Sequence, residues 1–173
     1  SVGVLLHSLA FGTLKPFVGD DAITEQQMDM TLAVMAHSLV YWTQNLVQRG
    51  LLAKGGRVFS MTSSGSTRAI ASYGAISAAK SALESHTRQL AYELAGRGIA
   101  VNALRAGVTD TPALRKIPDH ERLLEGAGRR NPSGRITTPG DVARALIALC
   151  DSGAAWVTGN VINVDGGEEI SAG

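Results

Sequence analysis

The stretch RVFSMTSSGSTRAIASYGAISAAKSALESHTRQLAYELAGRGIAVNAL, residues 57–104, decides the fold. Arg57 to Met61 form an apolar run of strand length, and small residues from Thr62 to Thr67 follow it. The pattern then predicts a long helix from about Tyr73 to Leu94, ended by Gly96 and Gly98, and a strand over Ile99 to Leu104. A strand, a helix long enough to be a crossover, and a second strand make the unit of a parallel sheet.

The alternation extends in both directions. Val2 to Leu6 reads as a fully buried strand. After a loop over residues 12–23, Thr24 opens a helix with Gln27 three residues on, as in a capping box. Met28, Leu32, Met35, Leu39, Trp42 and Leu46 form its apolar stripe, read as core or subunit interface, and the helix stops near Gly50. Residues 105–131 read as irregular or short helices. Thr138-Pro139-Gly140-Asp141 starts another helix to about Leu149, and Val157 to Val164 is the last strand, closed by a turn at Asp165-Gly166-Gly167. The expected fold class is α/β with a doubly wound parallel sheet in one domain over 1–173.

Composition narrows the function classes. Of 173 residues, 45% are apolar and 18% charged, which fits a globular chain. Lys+Arg number 16 against 15 Asp+Glu, and the basic residues are scattered apart from Arg129-Arg130, so no nucleic-acid or membrane partner is expected. The one cysteine, Cys150, excludes an intramolecular disulfide and a metal site built on paired cysteines. It reads as a buried small hydrophobe, and a reducing cytoplasm fits. The N-terminal Ser1 to His7 lacks the features of a signal peptide, and no apolar run approaches membrane-crossing length.

The chemistry centres on Tyr73 and Lys80. Seven residues on a helix advance about 10.5 Å and return to within roughly 20° of the starting direction. The phenol sits at the helix start, where the dipole and a nearby ammonium favour its anion, so it is expected to be a better acid than free tyrosine. By spacing alone, such a pair is also what two residues sharing a helix face give. His7 reads as a packed strand-end histidine rather than a base. Ser60, Ser64 and Ser66 read as turn residues, and Asp165-Gly166-Gly167 as a structural turn.

The ordered set of motifs resembles the short-chain dehydrogenase/reductase family, most closely the enoyl-acyl-carrier-protein reductases of bacterial fatty-acid synthesis. Those reductases space tyrosine and lysine as Y-x-x-x-x-x-x-K, as here, whereas most of the wider family uses Y-x-x-x-K. The position four before Lys80 is Ile76, which cannot act as an acid. Leu6-His7-Ser8-Leu9-Ala10-Phe11-Gly12, Arg68-Ala69-Ile70, Thr109-Asp110-Thr111 and the stretch 114–124 also match, the last two resembling the NADPH-using branch.

The resemblance implies a Rossmann-type dinucleotide-binding domain that takes NADPH or NADH and reduces an acyl-carrier-protein or CoA enoyl thioester. It implies a cytoplasmic homotetramer packed through the two long helices, with no metal. Catalytic roles fall to Tyr73, which stabilises the enolate oxygen, to Lys80, which holds the nicotinamide ribose, and to Ser63. Ser8, Leu9, Ala10, Thr62, Gly107, Val108, Thr109 and Thr111 are implied around the cofactor, with Gly107 to Thr109 offering backbone atoms to the carboxamide. Phe11, Ser63, Tyr73, Ile76 and the 109–118 segment are implied around the acyl group.

Three departures qualify this. Val108 stands where many members carry proline, which is expected to alter only the loop's stiffness. Ser63 leaves ketone reduction open. The glycine-rich pyrophosphate turn is absent, so the chain is expected to begin at the family's fourth strand and to be the C-terminal part of a longer enzyme. Two alternatives remain: a short-chain reductase acting on a ketone or alcohol such as a 3-oxoacyl thioester, and a non-catalytic remnant or scaffold.

Overall fold

The computed structural model describes residues 1–171. In chain order the elements are β1 (Val2–His7), α1 (Glu25–Leu32), a π-helical turn (Ala33–His37) and α2 (Ser38–Gln48). They continue with β2 (Leu52–Thr62), α3 (Gly74–Leu94), β3 (Ala100–Ala106), α4 (His120–Arg130), α5 (Pro139–Cys150) and β4 (Val161–Val164). The four strands make one parallel sheet in the order β1-β2-β3-β4, the α/β architecture that the alternation predicts. Because the strands are parallel, His7, Thr62, Ala106 and Val164 bring their carboxyl ends to one edge of the sheet, where α/β proteins place ligands.

Among the described residues β1 pairs only with β2, and its apolar run, expected to be fully buried, leaves Val4 and Leu6 41% and 45% exposed there. β4 is shorter than predicted. The chain before it bonds to β3 irregularly, with Gly159 N–H donating to Val101 O (2.8 Å) and the Thr158 hydroxyl accepting from Val101 N–H (3.0 Å).

Two of the three predicted helix starts carry capping boxes. Thr24 and Gln27 form a capping box on α1, and Thr138 and Asp141 form one on α5. The apolar stripe between residues 28 and 46 is borne out at Met35 and Leu39, which are buried, and at Leu32, which packs against the core; Trp42 departs from it. A π-helical turn over Ala33–His37 lies within this segment. Thr31, Met35, Ala36, Leu39 and Thr43 are the buried residues, while Trp42 is 59% exposed.

The core lies between this helical segment, α3 and the sheet. Met35, Ala36 and Leu39 meet Ile76, Ala79 and Leu83 of α3 over Val58 and Val101. Ala36, Ala75 and Ala79 are wholly buried. Each fully buried leucine among these, such as Leu39 and Leu83, contributes about 1.5–3 kcal/mol. α5 meets β4 and buries no side chain fully, which leaves Cys150 half-buried rather than in the core. Among the described residues, no helix is long and apolar enough to cross a membrane.

Candidate active site

A cavity of ≈ 390 Å³ opens at the carboxyl ends of the strands. Its wall brings together Ser8, Leu9 and Ala10 after β1 with Thr62 and Ser63 at the end of β2. Tyr73, Ile76 and Lys80 reach it from α3, and Gly107, Val108, Thr109 and Thr111 from the loop after β3. Phe11 is the one sequence-derived site residue outside this wall; its ring is 59% exposed.

Tyr73 is the cap residue of α3 and is buried, only 9% exposed. The chain enters it through Ser72, whose φ of 57° is a left-handed conformation costing a non-glycine residue on the order of 1 kcal/mol. Gly65 makes room for the ring: a Cβ there would lie 2.5 Å from Tyr73 Cε1. Burial pushes the Tyr73 phenol above its ordinary pKa, and the Ser63 hydroxyl draws it partly back. The expectation of a more acidic phenol is therefore corrected. Burial is the larger influence and the Ser63 hydroxyl offsets it only in part, so the phenol is a neutral hydrogen-bond donor.

Lys80 is 6% exposed. Its ammonium donates to Met61 O (2.7 Å) and Leu9 O (3.5 Å), tying together the ends of β2 and β1. An ammonium has three donors, so one N–H remains for the cavity. Burial pulls Lys80 down to about 8, with the Glu84 carboxylate opposing.

His7 is buried and bonds through Nε2 to Ser38 Oγ (2.7 Å); burial and then the Lys80 charge lower its pKa. It is a packed strand-end histidine, as its position suggests. Ser64 and Ser66 lie in a 3₁₀ turn, but Ser60 does not: it is inside β2, bonded to Thr87 Oγ1 (3.0 Å).

Beneath the cavity lies a pairing that motif reading missed. Thr62 Oγ1 donates to Glu84 Oε1 (2.6 Å), and Arg105 donates to the same oxygen (3.1 Å) and to Ser66 Oγ (3.2 Å). The Glu84 and Arg105 side chains are only 10% and 13% exposed. The hydroxyl proton of Thr62 is thus committed to α3.

The loop after β3 is held by its own bonds. Thr109 Oγ1 donates to Gly107 O (2.9 Å), and Thr111 Oγ1 accepts from Leu114 N–H (3.1 Å). Val108 does more than change stiffness: its N–H, which proline would lack, donates to Glu168 Oε2 (2.9 Å). Gly107 is forced by close approach. A Cβ there would overlap Thr137 Oγ1 and lie 2.9 Å from Glu168 Oε2. Gly107→Ala should destabilise the protein by about 1–3 kcal/mol through overpacking. Thermal melting checks this, and an unchanged melting temperature would refute the packing described.

Comparison with known proteins identifies the family. The profile of the Enoyl-(Acyl carrier protein) reductase family matches residues 1–169. The enoyl-[acyl-carrier-protein] reductase [NADH] FabI of Aquifex aeolicus (strain VF5) is 30% identical over 171 residues, covering 98% of this chain and 63% of its own length. The 1-cyclohexenylcarbonyl-CoA reductase of Streptomyces collinus is 31% identical, covering 98% of this chain and 61% of its own. The chain thus spans a little under two thirds of these relatives. The crystal structure of the Bacillus cereus enoyl-acyl carrier protein reductase with NADP+ and indole naphthyridinone superposes with a TM-score of 0.90 at 28% identity. That match covers 98% of this chain and 66% of the other. With the profile matched along nearly its whole length, and with the tyrosine and lysine of its helix meeting at one cavity, the chain belongs to the enoyl-(acyl carrier protein) reductase family.

Proposed function

We propose that the protein reduces the 2,3-double bond of an enoyl thioester with NADH or NADPH. The observation that carries the reading is the shared cavity wall of Tyr73, Lys80 and Ile76, with an apolar residue where other short-chain reductases place their acid. The residues present fit the nicotinamide end of a cofactor. Lys80 is a buried ammonium with an N–H to spare, and the backbone of the loop after β3 shares the same cavity wall.

When bound, the cofactor supplies a hydride to the β-carbon of the substrate. The negative charge building on the thioester oxygen would be met by a hydrogen bond from the neutral Tyr73 phenol, and addition of a proton to the α-carbon would complete the reduction. Lys80 holds the ribose hydroxyls while fastened to Met61 O and Leu9 O. Ser8, Leu9, Ala10, Thr62 and the 107–111 backbone border the cofactor, and Ser63 and Ile76 border the acyl group. A relative acting on a CoA ester and others named for acyl-carrier protein support a thioester carrier of either kind.

The same family membership supports a cytoplasmic homotetramer. The exposed Tyr41, Trp42 and Tyr92 on the long helices α2 and α3 supply apolar surface for it.

A titration with NADH and NADPH followed by nucleotide fluorescence tests the reading: saturable enhancement is expected for one of them. Binding of neither would favour the non-catalytic scaffold.

Lys80 sets a pH dependence. Its folded value of about 8 lies below the ordinary 10.5, so the unfolded chain holds the extra proton between those values. The cost of burying the charge is fully present below pH 8 and is relieved as pH rises toward 10.5, so this group's contribution to stability increases across that window. Cofactor affinity should move the other way, weakening above pH 8 as the ammonium loses its proton. Binding measured from about pH 7 to 10 checks this, and a Lys80→Met variant should show weak binding without the pH limb.

A further inference from the structure

The turn after β4 reaches the cavity from behind. Its start is braced: Asp165 Oδ1 accepts from Gly167 N–H (3.0 Å), Asp165 Oδ2 from Glu169 N–H (2.9 Å), and Asn131 Nδ2 donates to Asp165 O (2.7 Å). The braced turn delivers Glu168, only 6% exposed, to the cavity wall. There Glu168 Oε2 accepts the Val108 N–H at 2.9 Å, and Oε1 stands 3.5 Å from the Arg130 guanidinium at the end of α4. The next residue, Glu169, pairs with Arg68 of the loop after β2 at 3.3 Å. Two adjacent carboxylates thereby grip three separate segments of the wall.

A carboxylate is costly to bury unless its oxygens are matched by donors. The amide and the guanidinium are those donors, and a hydrogen bond to an ionised acceptor is stronger than one between neutral groups. The contact lies within the loop that the proposed function turns toward the cofactor. It sits one residue from Gly107, whose missing Cβ leaves the carboxylate its place.

We infer that Glu168 is a positioning residue, which fixes the 107–111 loop at the nicotinamide end of the cavity through the Val108 amide. The inference rests on the proposed cofactor-facing role of that loop. In this role Glu168 acts through the loop rather than on the reacting atoms, so its removal is expected to act on binding rather than on the chemical step.

The test compares wild type with Glu168→Ala, Glu168→Asp and Glu168→Gln. Asp keeps the charge but withdraws the oxygens by one methylene. Gln keeps an acceptor at the original reach. Two readouts are taken: exchange of the Val108 amide by NMR, and NADH or NADPH affinity together with kcat at saturating cofactor. Ala and Asp should each speed Val108 exchange and weaken cofactor binding by about tenfold, with kcat within about twofold of wild type. Gln should restore both. Unchanged exchange in Ala and Asp overturns the contact. Faster exchange with unchanged cofactor affinity, or a loss confined to kcat, overturns the positioning role. If wild type binds neither nucleotide while exchange still responds, the cofactor reading has failed and Glu168 holds the loop for stability alone, which also overturns the inference.

Discussion

Tyr73→Phe should lower enoyl-thioester turnover by about 10²–10³-fold, the usual cost of removing one donor to a developing oxyanion. The prediction rests on the state of the phenol. Burial keeps it protonated, so its O–H is a donor in place before charge develops. The ring lies against Gly65 and within the core that includes Ile76, and phenylalanine keeps those contacts. The variant should therefore melt near wild type and bind cofactor with similar affinity, with the loss in kcat. Steady-state kinetics with a melting curve separates these quantities. Turnover at the parent rate would remove Tyr73 from the mechanism.

Glu84→Ala should cost about 3–5 kcal/mol of stability, the usual consequence of removing one partner of a buried ion pair. The carboxylate accepts from both Arg105 and Thr62, and the Arg105 Nε is already buried without a partner. Without Glu84 the Arg105 guanidinium keeps Ser66 as its side-chain partner. In a chain of this size the melting temperature should fall by on the order of 10 °C. A Glu84→Leu, Arg105→Met double variant should recover much of the loss, because exchanging a whole buried pair for apolar groups is often neutral. If the single variant melts like wild type, the pair is not a support of the fold. The same substitution reaches the site. Glu84 raises Lys80, so its loss should move the pH limb of cofactor binding to lower pH.

The fold was legible where pattern and local chemistry agree. The helix of residues 73–94 announces itself by length, its closing glycines and the strands around it, and both capping boxes can be read as short motifs. The stripe of the 24–50 helix was legible at Met35 and Leu39 but not at its far end, where Thr43 turns in and Trp42 out, and the π-helical turn over Ala33–His37 left no mark in a run of apolar residues. The exposure of β1 depends on which strand stands beside it, and an apolar run looks alike at an edge and in a centre.

In the site, Tyr73, Lys80 and the loop after β3 came from the family resemblance that the ordered motifs carry, since spacing alone did not decide them. Glu84 carried a usable signal, since it lies four residues after Lys80 on the same helix, and Arg105 carried another as a charge within a buried strand. Glu168 carried none: its partner is a backbone amide sixty residues away, which no side-chain pattern encodes. The acidity of Tyr73 was misjudged because a helical spacing shows neighbours but not desolvation.

Turnover of crotonyl thioester against acetoacetyl thioester, each with NADH and with NADPH, tests the central claim most directly. The account predicts faster reduction of the crotonyl substrate, with loss of activity in Tyr73→Phe. Faster use of the acetoacetyl substrate would contradict it and assign Ser63 and Tyr73 to carbonyl reduction instead.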